Sequence, residues 1–121
     1  MTKGVKDIKD RTFEFAVRIV KLCQHPDKIP GACRTLSGQL LKAGTSVGAN
    51  VEEAQAGQSR PDFISKNSIA LKEARESHYW LRILIAADIK PEKTLAELRD
   101  EAEEIKLILG SIVVRTKRRT V

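Results

Sequence analysis

A chain of 121 residues with 41% hydrophobic and 31% charged residues has the size and composition of one globular domain with a real core. Its net charge of +6 favours anionic partners, and no apolar run approaches the roughly 20 residues that a membrane span needs. The N-terminus runs straight into charged sequence with no apolar signal core, so the protein is expected to be cytoplasmic.

Four prolines, Pro26, Pro30, Pro61 and Pro91, fall where the apolar periodicity breaks, and they divide the chain into four helical segments. The first, about residues 8–24, carries Ile8, Phe15, Ile19 and Leu22 beside a second row at Phe13, Ala16, Val20 and Cys23; two adjacent seams predict packing against two neighbours. Cys23 and Cys33 then flank a turn and read as free buried thiols, because no second pair completes a zinc ligand set. The second segment, residues 31–56, has a seam of Leu36, Leu40, Ala43, Val47, Asn50 and Ala54. Within it Gly44 and Gly48 lie four apart on one face. Glycine inside a helix costs up to about 1 kcal/mol relative to alanine, so these two predict close approach of another helix, within the bundle or across a subunit boundary. Asn50 at a seam position predicts a buried amide that fixes register, with Ser46 on the turn before it.

The third segment, residues 60–87, opens at Ser59, Arg60, Pro61 and Asp62, a cap followed by a proline suited to the first turn. Its seam is Phe63, Asn67, Ala70, Ala74, Ser77, Leu81 and Leu84. Lys66, Glu73, Glu76 and Trp80 share a second face with Ile69 and read either as solvated surface or as an interface anchored by the single tryptophan. The fourth segment, residues 91–115, keeps Leu95, Leu98, Ala102, Ile105, Leu109 and Ile112 in register before a basic tail, residues 115–121. Strand signals are weak throughout. The class is therefore all-α: a single domain over residues 1–121, built as an antiparallel up-down-up-down four-helix bundle because short loops force consecutive helices to be antiparallel neighbours.

Bundles that hold paired metal ions use Glu-x-x-His pairs from two helices, and this sequence lacks them; no metal and no cofactor are expected. The acidic run Glu97, Asp100, Glu101, Glu103 and Glu104 falls between seam positions and reads as a solvated face. No serine sits in a nucleophile elbow and no glycine in a phosphate loop, so the expectation is a binding protein and not an enzyme, with no catalytic residues. In an up-down bundle the first helix begins where the fourth ends. That gathers Lys3, Lys6, Arg11 and Arg18 towards Arg115, Lys117, Arg118 and Arg119 as a candidate nucleic-acid surface. The alternative is a protein-interaction scaffold with no direct nucleic-acid role.

The stretch Thr45, Ser46, Val47, Gly48, Ala49, Asn50, Val51, Glu52, Glu53 and Ala54, followed by Phe63, Ile69, Ala70, Glu76 and Leu81, resembles the 23S rRNA intervening-sequence protein family, the S23-type four-helix bundle proteins. That family is similar in fold to the accessory variability proteins of diversity-generating retroelements. The resemblance implies a homopentamer, an RNA or DNA ligand and a reverse transcriptase as partner. It implies structural rather than catalytic roles for Ser46, Asn50 and Glu76. The chain departs from the family pattern after Glu53, where Ala54, Gln55 and Ala56 replace an acid and a glycine, and at Leu71, Lys72 and Glu73.

Overall fold

The computed structural model describes residues 7–24, 31–57, 59–89 and 91–119, and of residues 31–33 only the backbone. Lys3, Lys6, Pro26, Pro30 and the Cys33 side chain lie outside the described residues. The described residues form four helices: α1 (Ile8–Cys23), α2 (Gly31–Ala56), α3 (Arg60–Ala86) and α4 (Glu92–Arg119). There is no strand among the described residues.

Each helix boundary that is capped has a local cause. The Asp7 carboxylate accepts a hydrogen bond from the Asp10 amide at 2.9 Å and opens α1. Ser59 does the same for the Asp62 amide at 3.2 Å, with Pro61 in the first turn of α3 where its missing N–H is no loss. At the other end of α3, Asp88 takes a left-handed backbone (φ 61°). Its amide donates to Ile85 O at 2.9 Å and the Ile89 amide to Leu84 O at 3.0 Å. This is a Schellman termination, with aspartate where glycine is commoner. The fourth helix runs to Arg119, so the basic segment expected as a tail beyond residue 115 is helical through its first five residues.

Cross-helix contacts set the topology. Gly48 of α2 faces Thr12 of α1, and Gly44 faces Ile19; Arg11 and Arg18 of α1 reach Glu101 and Glu97 of α4; Arg60 of α3 reaches Arg119 of α4. In each pair one number rises as the other falls, so the neighbours are antiparallel and the bundle is up-down-up-down. The core stacks Phe15, Ile19, Leu40, Val47, Val51, Leu81, Leu84, Leu95, Leu98, Ile105 and Leu109 with Ala43, Ala70, Ala74 and Ala102 between them. Alternating large and small side chains lets the four layers interdigitate.

Three seam expectations shift by one position. Val51, at 1% exposure, occupies the core place expected for Asn50, which is half-buried and donates to Ser46 O of the preceding turn at 2.9 Å. Asn67, the seam amide of α3, is buried as its register predicts, and its Nδ2 donates to Phe63 O at 3.1 Å. In α4 the last core position is Val113, with Ile112 half-buried. In α1 the second row buries only in part: Phe13 is 60% exposed and Val20 is exposed, whereas Ala16 and Cys23 are half-buried and Cys23 packs against the core. Thr12 is buried instead, its hydroxyl donating to Ile8 O at 2.8 Å. One seam plus a close backbone contact therefore suffices to hold α1.

That contact explains the glycines. A Cβ on Gly44 would lie 3.0 Å from Ile19 Cγ1, and one on Gly48 would lie 3.2 Å from the Thr12 carbonyl oxygen. Both glycines thus serve packing within the chain. Gly38, on the exposed side of the same helix, has nothing within 4 Å of a built Cβ. Gly38→Ala should therefore stabilise the protein by up to about 1 kcal/mol, the helix-propensity difference. Gly48→Ala should be at least about 1 kcal/mol worse than Gly38→Ala, because a helix backbone cannot yield as a side chain can. Urea unfolding of the two variants beside the parent checks the contrast; equal stabilisation would show that α1 is not held against Gly48.

Candidate functional site

Two sets of basic residues differ in what surrounds them. Arg11 makes a two-point contact with Glu101, Nε to Oε2 at 3.0 Å and Nη2 to Oε1 at 2.7 Å, and its Nη2 lies 3.9 Å from Glu104. Two turns on, Arg18 reaches Glu97 at 3.5 Å. These pairs line the α1/α4 boundary, so the acidic run of α4 does more than face solvent: its Glu97, Glu101 and Glu104 compensate the arginines of α1. Planar guanidinium and carboxylate groups in this fork arrangement are the stronger kind of ion pair. Arg11 and Arg18, expected as phosphate contacts, are engaged in closing the bundle.

The second group gathers at the end of the bundle where α3 begins and α4 finishes. Arg115, Lys117, Arg118 and Arg119 are exposed on the last turns of α4. Arg60, on the first turn of α3, crosses to them and donates from Nη1 to Arg119 O at 2.9 Å. Among the described residues, no carboxylate pairs with Arg60, Arg115, Arg118 or Arg119, whereas Arg99 and Lys106 on the same α4 pair with Asp100 and Glu103. Between the two helix ends lies a cleft of about 280 Å³, lined by Arg60, Phe63, Ile112, Arg115, Thr116 and Arg119. Arg60 was absent from the basic set expected from sequence. The signal was present, since the up-down geometry that places the start of the first helix at this end places the start of the third there as well.

The remaining expected residues collect on the opposite flank of α2 from the glycines. At 100° per residue, Ser46 and Asn50 stand about 200° round the helix from Gly44 and Gly48. Ser46 Oγ donates to Lys42 O at 2.7 Å, and Lys42, Ser46 and Asn50 form one row four residues apart. The charge of Lys42 acts on Glu73 of α3, which places that row beside the Glu73, Glu76 and Trp80 face. Burial raises the Glu73 pKa above its ordinary 4.5, and a hydrogen bond from its protonated form to Glu76, together with repulsion from that neighbour, raises it further. Trp80 packs on the core with its indole N–H buried and without an acceptor among the described residues. Its ring meets Tyr79 edge-on at 5.3 Å, and Ile69 on the same face is 38% exposed. Ser46, Asn50, Glu76 and Trp80 therefore share one flank, and the two glycines belong to another.

No group of three histidine, cysteine, aspartate or glutamate side chains among the described residues is placed to hold a metal ion. His78 lies 3.5 Å from Glu103, but burial and the charge of Lys106 lower its pKa, so at neutral pH the contact is not an ion pair. Burial likewise raises the Cys23 thiol, whose sulfur points at Ser37 O at 3.7 Å. No described helix is long and apolar enough to cross a membrane.

The sequence model of the 23S rRNA-intervening sequence proteins matches residues 6–111. A solved structure of a protein of unknown function from the S23 ribosomal protein family of Bacteroides thetaiotaomicron is similar, at 41% identity and a TM-score of 0.80, over 88% of this chain and 98% of that one. No curated protein matches.

The raised Glu73 carboxyl has a consequence for stability. Between its ordinary value and its raised one the folded chain holds a proton that the unfolded chain has lost, so stability falls as pH rises through that window. Glu73→Gln should therefore stabilise the protein at pH 7, and the gain should shrink as pH is lowered below the ordinary 4.5. Denaturant unfolding at neutral and acid pH reads this directly. A gain of the same size at both would contradict the assignment.

Proposed function

The chain belongs to the 23S rRNA-intervening sequence protein family, and from that premise we propose that it is a non-enzymatic, nucleic-acid-binding helical bundle whose working surface is the basic end formed by α3 and α4. One observation carries this reading: Arg60, Arg115 and Arg119, from two helices, line one cleft with no carboxylate partner among the described residues, while the arginines of α1 are compensated. Cations on the last turn of α4 complement the negative pole of the helix, but one or two would serve that purpose, and Arg60 belongs to a different helix. The family's name connects it with ribosomal RNA, which supports RNA as the first ligand to try. In the same proposal the chain works as a homo-oligomer, a pentamer by resemblance, on RNA or DNA and beside a nucleic-acid enzyme such as a reverse transcriptase.

A second reading is favoured by the orphaned indole N–H of Trp80 and the exposed Ile69 beside it. It makes the α2/α3 flank the working face, with a second copy or another protein against it and the basic end incidental. Aromatic anchors flanked by charge are the usual centre of such contacts.

Salt titration separates the two. If phosphate contacts dominate, affinity for RNA or DNA falls steeply with salt. Changing Arg115, Lys117, Arg118 and Arg119 to glutamine should flatten the dependence by about 0.9 in log–log slope per contact on duplex and about 0.7 on a single strand. No binding to either at low salt would overturn the first reading. Under the second, the same variant binds its partner unchanged, while Ile69→Lys alters the assembly state in sedimentation velocity.

A further inference from the structure

The cleft at the basic end has a feature that simple phosphate contact does not require, an apolar floor. Phe63 and Ile112, both half-buried, line it together with the exposed Arg60, Arg115 and Arg119. A surface that only tracked the backbone of a duplex would need charge but no apolar lining. This one is concave, with about 280 Å³ of space, near the lower bound for small-molecule sites, which is room for one nucleotide and far too little for a helix of base pairs. Its charge is also local. The neighbouring hollow at the same end, where α2 passes into α3, is lined by Glu53 and Asp62 beside Lys66, so an anion arriving at this end is directed to the α3/α4 side.

The guanidinium of Arg60 is fixed in place by its bond to Arg119 O, which engages one of its five N–H donors and leaves the rest for an incoming group. The same bond ties the first turn of α3 to the last of α4 and so holds the two walls of the cleft together. An aromatic ring and guanidinium groups lining one cleft match the chemistry of a nucleotide in both its parts, a flat apolar base and an anionic phosphate.

We propose that this cleft receives a single unpaired nucleotide of a polynucleotide strand, its phosphate held by Arg60 with Arg115 and Arg119 and its base laid against Phe63. The proposal rests on the nucleic-acid reading above and narrows it from a charged surface to a single-strand site, in which Arg60 and Phe63 are specificity residues.

The test is fluorescence anisotropy with a labelled strand of about 12 nucleotides, made as RNA and as DNA, beside a blunt duplex of the same sequence. Arg60→Gln should weaken single-strand binding about five- to tenfold and make its salt slope shallower by about 0.7, one phosphate contact, while duplex affinity changes less than about twofold. Phe63→Leu, which keeps an apolar floor but removes the ring, should weaken single-strand binding at least about fivefold with the salt slope unchanged, as loss of one stacked base would. A loss with either the RNA or the DNA strand supports the site. If the parent binds and Arg60→Gln lowers single-strand and duplex affinity equally, or neither, the cleft is not a nucleotide site and the basic end acts only as a charged surface. If the parent binds nothing at low salt, the nucleic-acid reading itself falls. Should Phe63→Leu unfold, Arg60→Gln decides alone, because that side chain is exposed at the start of its helix.

Discussion

The approach of α1 to α2 at Gly44 and Gly48 is the constraint from which the rest of the structure follows. With no side chain at either position, Ile19 and the Thr12 backbone come within van der Waals distance of the α2 backbone. α1 buries only three residues, Thr12, Phe15 and Ile19, too few to fix its position by apolar area alone. The glycines add definition, because the close approach of Ile19 and of the Thr12 backbone is possible only where α2 carries no side chain. That rotation turns Arg11 and Arg18 to α4, where Glu101 and Glu97 await them, and it leaves Phe13, Val17 and Val20 outward.

The distribution of charge follows from the same placement. Once α1 lies against α2 with its arginines towards α4, the basic residues of the first helix and the acids of the fourth compensate one another along the seam. At one end, where the last turns of α4 meet the first turn of α3, Arg60, Arg115, Arg118 and Arg119 gather with no carboxylate partner among the described residues. The α2/α3 flank contrasts with it, combining an indole N–H without an acceptor, an exposed isoleucine and a carboxyl whose pKa is raised by burial and by its neighbour. One pole suits an extended anion, and the flank suits a packed protein surface.

Much of this was legible in the sequence. Helix number, class and most core positions follow from period and from proline placement, since those signals record burial directly, and the family follows from the resemblance carried by residues 45–54. The paired glycines announced a close approach, though only the structure places their partner within the chain. Single positions were harder to read where two candidates lie next to each other on the same side of a helix. Asn50 and Val51 both face roughly inward, and the choice between them depends on the rotation of α2, which neighbouring helices set. The Phe13 row looked like a second seam because apolar spacing does not say whether a neighbour exists. Arg11 and Arg18 looked available because their partners are some 80 to 90 residues away in the chain. Arg60 escaped notice for the opposite reason: it is isolated in sequence, and only the antiparallel arrangement of α3 and α4 brings it beside Arg115 and Arg119.

The central claim is that nucleic acid meets this bundle at the α3/α4 end and nowhere along its sides. The most direct measurement is a backbone-amide NMR titration of the labelled protein with a short single-stranded RNA at low salt. The largest shifts are expected at residues 60–63 and 112–119, with the α1/α4 seam and the Trp80 flank little changed. Shifts centred on Ile69, Glu73 and Trp80, or spread along α1, would contradict it.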